Sequence, residues 1–327
     1  MSFKFNFNSA TSGKGVATPP SSSAAVASSS SSAWSAFTAS RKPCVVCPVP
    51  DALLQDDGAF QVHGNVIDTC VGWVRVHEPQ LQLLPASGTA AAAAAHSAAA
   101  AATPSVGDAA LRAADVVDIQ RGIYEGGLKL WECAIDLVRH VSPPSGAVAA
   151  ALAAPDGGAR VLELGAGHAL PSVALLLQQP PLNVRVTVQD YNAEVLYAVS
   201  MPNVFANGGA AALRRCDFLA GSWHALAEAD APLATTPYDV IVGSELLYHV
   251  EEYASLVRLC QRLLRVGGVA VLANKTLYFG CAGGGSCAAF AAAVRTLAPT
   301  ALHVETVARY DDAVSNIREI LHITRLQ

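Results

Sequence analysis

Residues 161–172 read VLELGAGHALPS, and no other stretch constrains the fold as strongly. Val161, Leu162, Glu163 and Leu164 suit a buried strand. They run into Gly165-Ala166-Gly167 and then into helix-forming residues. A strand, a tight glycine turn and a helix in that order bring backbone close to a ligand at the helix start.

The alternation continues downstream. Strand-like segments lie at 159–164, 184–189, near 214–219, 238–244 and 268–274, with helical segments at 169–178, about 193–206, 253–265 and 287–297. Upstream, Tyr124–Val141 reads as a helical approach with Leu128, Leu130, Trp131, Ile135, Leu137 and Val138 as its apolar contacts. At the end, 302–310 and 317–326 read as two strands joined by a short turn, which forces an antiparallel neighbour. The expectation is an α/β fold, a doubly wound, mostly parallel seven-stranded sheet covered on both faces.

The first third of the chain reads differently. Residues 1–50 contain no Asp or Glu and are rich in Ser and Ala, a composition that cannot bury enough apolar surface to offset chain entropy. It also resembles an organellar transit peptide. Residues 59–84 have β-branched, strand-like character and suit a small appendage, and 86–114 are an alanine-rich linker. The expected organisation is a low-complexity, mostly disordered region over 1–114 and a folded unit over 115–327, beginning near Asp115.

No run of ~18 strongly apolar residues appears, so no membrane span is expected. A net charge of −5 gives no general case for nucleic-acid binding. Eight scattered cysteines without a secretory signal read as reduced thiols. Cys44-Val45-Val46-Cys47 lacks a second ligand pair, and His168 and His249 lack ligand spacing, so no metal is expected.

The glycine turn does not match a dinucleotide fingerprint. Leu170 stands at the third glycine position of GxGxxG, and Glu163 lies two residues before the first glycine. A carboxylate there repels a diphosphate and suits a cation. S-adenosylmethionine is an adenosine compound with an ammonium and a sulfonium and no phosphate. Asp190, 25 residues after Gly165, is placed to accept from ribose hydroxyls, which both cofactor classes share. An NAD-like site and a purely structural turn stay open on these residues alone, as do capping roles for Glu163 and Asp190.

Further motifs narrow the choice: RGIYEGGLKLWEC at 121–133, QDYN at 189–192, MPNVFAN at 201–207, GSW at 221–223, GSELLY at 243–248 and NKTLYFGCAGGG at 274–285. With the opening MSFKFNF, this set resembles the protein-histidine methyltransferase family, class I enzymes that modify the ribosomal large-subunit protein uL3. The resemblance runs over about 115–327. It implies a Rossmann-like methyltransferase domain, S-adenosylmethionine as cofactor, a histidine acceptor methylated at its tele nitrogen, and a monomer linked to ribosome biogenesis. It favours cytoplasm and nucleus over plastid or mitochondrion.

Carried over residue by residue, it sets Leu130, Trp131, Glu132, Cys133 and Ala134 against the cofactor, with Gly165 and Gly167 at the turn. Gln189, Asp190 and Tyr191 then surround the ribose and one adenine face. Gly221, Ser222 and Trp223 cover the adenine, and Ser244 sits beside the transferred methyl. A neutral imidazole already attacks near pH 7, since its pKa is ~6.5, so the enzyme must orient the ring more than deprotonate it. Glu245 is the first candidate for that task, followed by Tyr248 and Asn274. A related lysine or small-molecule methyltransferase, or an assembly factor that merely keeps the fold, are the rival readings.

Overall fold

The computed structural model describes residues 41–55, 66–69, 72–75, 119–142, 144–153, 158–178, 181–228, 230–233, 236–279, 284–311, 313 and 316–327. Residues 1–40, the alanine-rich 86–114 and the boundary at Asp115 lie outside the described residues.

The elements run β1 (Val45–Val46), α1 (Asp51–Gln55), β2 (Val66–Thr69), β3 (Gly72–Arg75), α2 (Glu132–Val141), α3 (Gly146–Leu152), β4 (Ala159–Leu164), α4 (Leu170–Leu176) and β5 (Val184–Asp190). There follow α5 (Ala193–Val195), a π-helical turn (Leu196–Ser200), α6 (Met201–Leu213), β6 (Cys216–Ala220), α7 (Trp223–Leu226) and β7 (Tyr238–Ser244). A 3-10 turn (Val250–Glu252), α8 (Tyr253–Leu263), β8 (Leu264–Lys275), α9 (Cys287–Leu297), β9 (Leu302–Tyr310) and β10 (Arg318–Arg325) complete the chain.

Eight strands form one sheet in the order β1-β6-β5-β4-β7-β8-β10-β9. Strands β6, β5, β4, β7 and β8 are mutually parallel. Strand β10 enters antiparallel between β8 and β9, as the short terminal turn requires. The seven expected strands are all present, and their doubly wound order is that of a Rossmann-like α/β sheet.

The central strands are apolar on both faces because both are covered. Val161, Val240 and Val271 pack with Leu137 and Leu170 on one side, while Leu162, Ile241 and Leu272 pack with Leu256 and Phe290 on the other. Full burial of such a side chain contributes roughly 1.5–3 kcal/mol. The buried Arg318 on β10 pairs with Asp136 on α2, locking the inserted strand to the helix beside the site.

Three expectations need correction. The helical approach over Tyr124–Val141 is a helix only from Glu132. Adjacent Gly126 and Gly127 weaken a helix there by ~1 kcal/mol each relative to alanine. The Tyr124 hydroxyl, which accepts from the Leu128 N–H at 2.9 Å, folds 119–131 into a loop instead. The helix expected over about 193–206 passes through a π turn, breaks at a kink where Gly209 has φ +60°, and resumes to Leu213. Finally, the sheet has an eighth strand, drawn from the N-terminal region. Val45 and Val46 pair antiparallel with Ala220 and Leu219 of β6. A two-stranded antiparallel hairpin, β2-β3, falls within the strand-like 59–84. No helix among the described residues is long and apolar enough to cross a membrane.

Candidate active site

Strand order reverses at β4, whose neighbours are β5 and β7. In open α/β sheets ligands bind outside the carboxyl ends of the strands at such a point. A cavity of about 510 Å³ opens there.

Its floor is the glycine turn. Gly165 has φ +55°, and a Cβ on it would stand 2.8 Å from Leu246 Cδ2, so any other residue would be strained and would push Leu246 aside. The Ala166 N–H donates to the Gln189 carbonyl at 2.8 Å, tying the turn to β5. Asp190 closes β5. Its Oδ2 accepts from Gly167 N at 2.9 Å and its Oδ1 from Asn192 N at 3.0 Å. Burial raises its pKa to about 6 against these two hydrogen bonds, so it is ionised at pH 7 and keeps lone pairs for a ligand.

One wall is Tyr191 with Gly221, Ser222 and Trp223. The Trp223 indole donates to Gln189 Oε1 at 3.1 Å, and Gln189 Nε2 donates to the Gly221 carbonyl at 2.8 Å. Gln189 therefore stands behind the wall and holds it to the turn. The opposite wall is Leu130, Trp131 and Ala134. Trp131 is pinned by a 2.9 Å hydrogen bond to the Gly126 carbonyl, with the Lys129 and Lys275 ammonium groups 4.7 and 5.1 Å from its ring centroid.

Two tyrosine–carboxylate pairs belong to the lining. The Tyr278 hydroxyl donates to Glu245 Oε2 at 2.7 Å, and the Tyr248 hydroxyl donates to Glu125 Oε2 at 2.9 Å. Lys275 Nζ lies 3.4 Å from Glu245 Oε1, an atom that is buried and accepts no hydrogen bond among the described residues. Burial pushes Glu125 up. His249, at 3.4 Å, the Gly122 N–H and Tyr248 outweigh that and hold its carboxyl below the ordinary value. Burial and the Glu245 charge push the Tyr278 phenol well up, so it stays a donor.

Glu245 has φ +56°, a left-handed conformation that costs a non-glycine residue about 1 kcal/mol. Asn274 maintains it. Its Oδ1 accepts from Leu246 N at 2.7 Å and Leu247 N at 3.1 Å, fixing the turn after β7.

Of the residues expected from sequence, Leu130, Trp131, Ala134, Gly165, Gly167, Asp190, Tyr191, Gly221, Ser222, Trp223, Ser244, Glu245 and Tyr248 line the cavity. Gln189 and Asn274 stand behind it as supports. Glu132 points toward Arg318 at 3.8 Å, and Cys133 is fully buried beneath Glu245.

Glu163 also lies outside the lining. Its Oε2 accepts from the Ser172 N–H at 2.9 Å and from the Ser172 hydroxyl, so it caps the start of α4. Burial raises its pKa to about 8. A mostly neutral carboxyl turned into the fold neither repels a diphosphate nor attracts an ammonium. That part of the cofactor argument passes to Glu125, Asp190, Glu245 and Glu252, the carboxylates that do line the cavity.

The missed residues are Arg121, Glu125, His249, Glu252 and Tyr278. Glu125 was hidden by reading its loop as helix, although Gly126-Gly127 was the signal against it. The CxxC forms part of an extended segment, where three residues span roughly 10 Å, beyond disulfide reach. No group of three or more His, Cys, Asp and Glu able to hold a metal occurs among the described residues.

The buried Glu163 carries a stability prediction. Its folded pKa of about 8 exceeds the ordinary 4.5, so the native state keeps a proton that the unfolded chain releases. The resulting stability is full below pH 4.5 and is lost as pH rises toward 8. Glu163→Gln should match the wild type near pH 4.5 and exceed it by on the order of 4 kcal/mol near pH 8, read by urea denaturation. An equal difference at both pH values would contradict the burial argument.

The profile of a family described as lysine methyltransferase matches residues 114–277. Among curated proteins, the histidine protein methyltransferase 1 homolog of Dictyostelium discoideum is 36% identical over 210 residues, 64% of this chain and 61% of that protein. The Bos taurus protein of the same name is 31% identical over 190 residues, 51% of this chain and 48% of that protein. Histidine protein methyltransferase 1 of Saccharomyces cerevisiae is 39% identical over 92 residues, 27% of this chain and 23% of that protein. The chain thus spans less than two thirds of the curated relatives it matches. The family match covers half of the chain and holds every cavity-lining residue except Tyr278; the chain belongs to the methyltransferase family so described.

Proposed function

We propose that this chain methylates a histidine side chain of a protein substrate at the tele nitrogen, with S-adenosylmethionine as methyl donor. The single observation that carries the reading is Glu245, a carboxylate of the cavity lining held in a left-handed conformation between the Tyr278 hydroxyl and the Lys275 ammonium.

The residues present fit the cofactor. Asp190 suits the ribose hydroxyls, Tyr191 and Trp223 suit the adenine faces, and the four lining carboxylates favour a cation over a diphosphate. When bound, S-adenosylmethionine supplies a methyl group activated by its sulfonium. Trp131 and the 119–131 loop cover the reacting end and exclude water. Glu245 accepts the N–H of the neutral acceptor ring, which turns the other nitrogen toward the methyl. It also stabilises the imidazolium charge that develops. Lys275 and Tyr278 hold Glu245 in place. The methylated ring, an imidazolium whose N–H is held by Glu245, then releases that proton to bulk water as the product leaves.

The relatives' names support a histidine acceptor, and the similarity of the sequence motifs to the uL3-modifying family makes uL3 the substrate to test first. With a substrate of the cytosolic ribosome, the reaction is proposed to run in cytoplasm or nucleus. The family description favours a second reading, a lysine acceptor. A lysine, with pKa ~10.4, must lose a proton before attack, and Glu125, held below its ordinary value, is a weak base for that.

The test is incubation with labelled S-adenosylmethionine and uL3, followed by tandem mass spectrometry and separation of the two methylhistidine isomers. Label on tele-methylhistidine supports the proposal. Label on lysine establishes the second reading, and transfer to neither residue overturns both.

A further inference from the structure

Residues 42–47 lie upstream of the matched family region, yet they run along the adenine wall of the cavity. The Lys42 carbonyl accepts from the Ser222 N–H at 3.0 Å and from the Ser222 hydroxyl at 2.9 Å. The Lys42 ammonium donates to the Tyr191 carbonyl at 2.8 Å and sits 4.6 Å from the centroid of the Tyr191 ring. One residue thus bridges the ends of β5 and β6, whose following residues form the wall. Packing leaves no slack. A Cβ on Gly221 would stand 2.7 Å from both Cys44 Cα and the Pro43 carbonyl oxygen. Beyond it, Val45 and Val46 pair with β6, and the Cys47 N–H donates to the Phe218 carbonyl at 2.8 Å.

We propose that this N-terminal segment is a strap completing the cofactor site, with Lys42 as the positioning residue that holds Tyr191 and Ser222 at the spacing an adenosine needs. The inference rests on the cofactor reading given above. Lys42 acts through its neighbours. Its ammonium fixes the Tyr191 backbone, so the ring and the adjoining Asp190 keep one orientation before the ligand arrives. Its backbone carbonyl fixes Ser222, which in turn starts α7 by accepting from the Ala225 N–H at 3.2 Å. Removing the charged tie returns that ordering cost to the binding step. A role confined to fold stability would lower the melting temperature and leave ligand affinity of the folded fraction unchanged.

The experiment is calorimetric titration of the full chain with S-adenosylhomocysteine, with steady-state kinetics alongside. Lys42→Met should raise Kd about tenfold, with the loss carried by KM for the cofactor and not by kcat. Lys42→Arg should recover most of the affinity, and Lys42→Gln, a milder change, should fall between. Should Lys42→Met fail to fold, the Gln and Arg pair decides by the same order of affinities. Equal Kd for the wild type and a folded Met or Gln variant overturns the strap, as does a loss confined to kcat. No binding by the wild type sinks the cofactor reading instead, so the two failures are distinguishable.

Discussion

Glu245→Gln is expected to lose methyl transfer by about 10³-fold in kcat while keeping its affinity for S-adenosylhomocysteine. The amide is isosteric, so the Tyr278 hydroxyl still finds an acceptor and the left-handed turn after β7 is still held by Asn274. What disappears is the negative charge beside the acceptor ring, and with it the stabilisation of a developing imidazolium. The amide also leaves the Lys275 ammonium without its anionic partner. Single-turnover kinetics with saturating cofactor reads the effect directly. A kcat within threefold of wild type would remove Glu245 from the chemistry, and a large parallel loss of affinity would make it a structural residue.

Asp190→Ala should fail at the preceding step. Its carboxylate holds the Gly167 and Asn192 N–H groups and has lone pairs left for two ribose hydroxyls. Hydrogen bonds to a charged group contribute ~1.5–3 kcal/mol each, so losing them should weaken S-adenosylhomocysteine binding by about 100-fold or more. The pH dependence has a definite sign. With a pKa of about 6, Asp190 is protonated on acidification, so wild-type affinity should fall as pH drops from 7 to 5. Asp190→Asn should show a flat profile over that window, because it has no proton to gain. Titrations at three pH values check both statements. Binding by Asp190→Ala within threefold of wild type would show that the ribose is held elsewhere.

These two residues also show why parts of the site were readable early. Asp190 ends a buried central strand and follows the glycine turn by a spacing that strand and helix lengths impose, so its place depends on local patterns. Glu245 directly follows β7, placed by the same local pattern. Strand ends in a parallel sheet converge on one edge, and a pattern that locates the strands locates that edge.

Glu163 shows where the same reasoning fails. It ends a strand too, but side chains alternate along a strand, and the cavity lies on one side only. Ser172, nine residues on, takes its carboxylate into the start of α4. Whether an acid at a strand end faces ligand or helix is a packing outcome. Glu125 and Tyr278 are the converse case. Each sits in an irregular loop, and a loop has no period from which a facing direction can be inferred. They reach the cavity because Tyr248 and Glu245, distant in sequence, supply their partners.

The amino-acid sequence by itself determined the sheet, its winding and the glycine turn, because strand and helix periods, turn glycines and apolar runs are local properties that survive without neighbours. Tertiary structure alone decided which carboxylates face the cavity, which are neutralised by burial, and that Lys42 closes its wall. Those outcomes depend on pairs up to 180 residues apart, such as Ser222 and Lys42, and no local pattern encodes a contact at that separation.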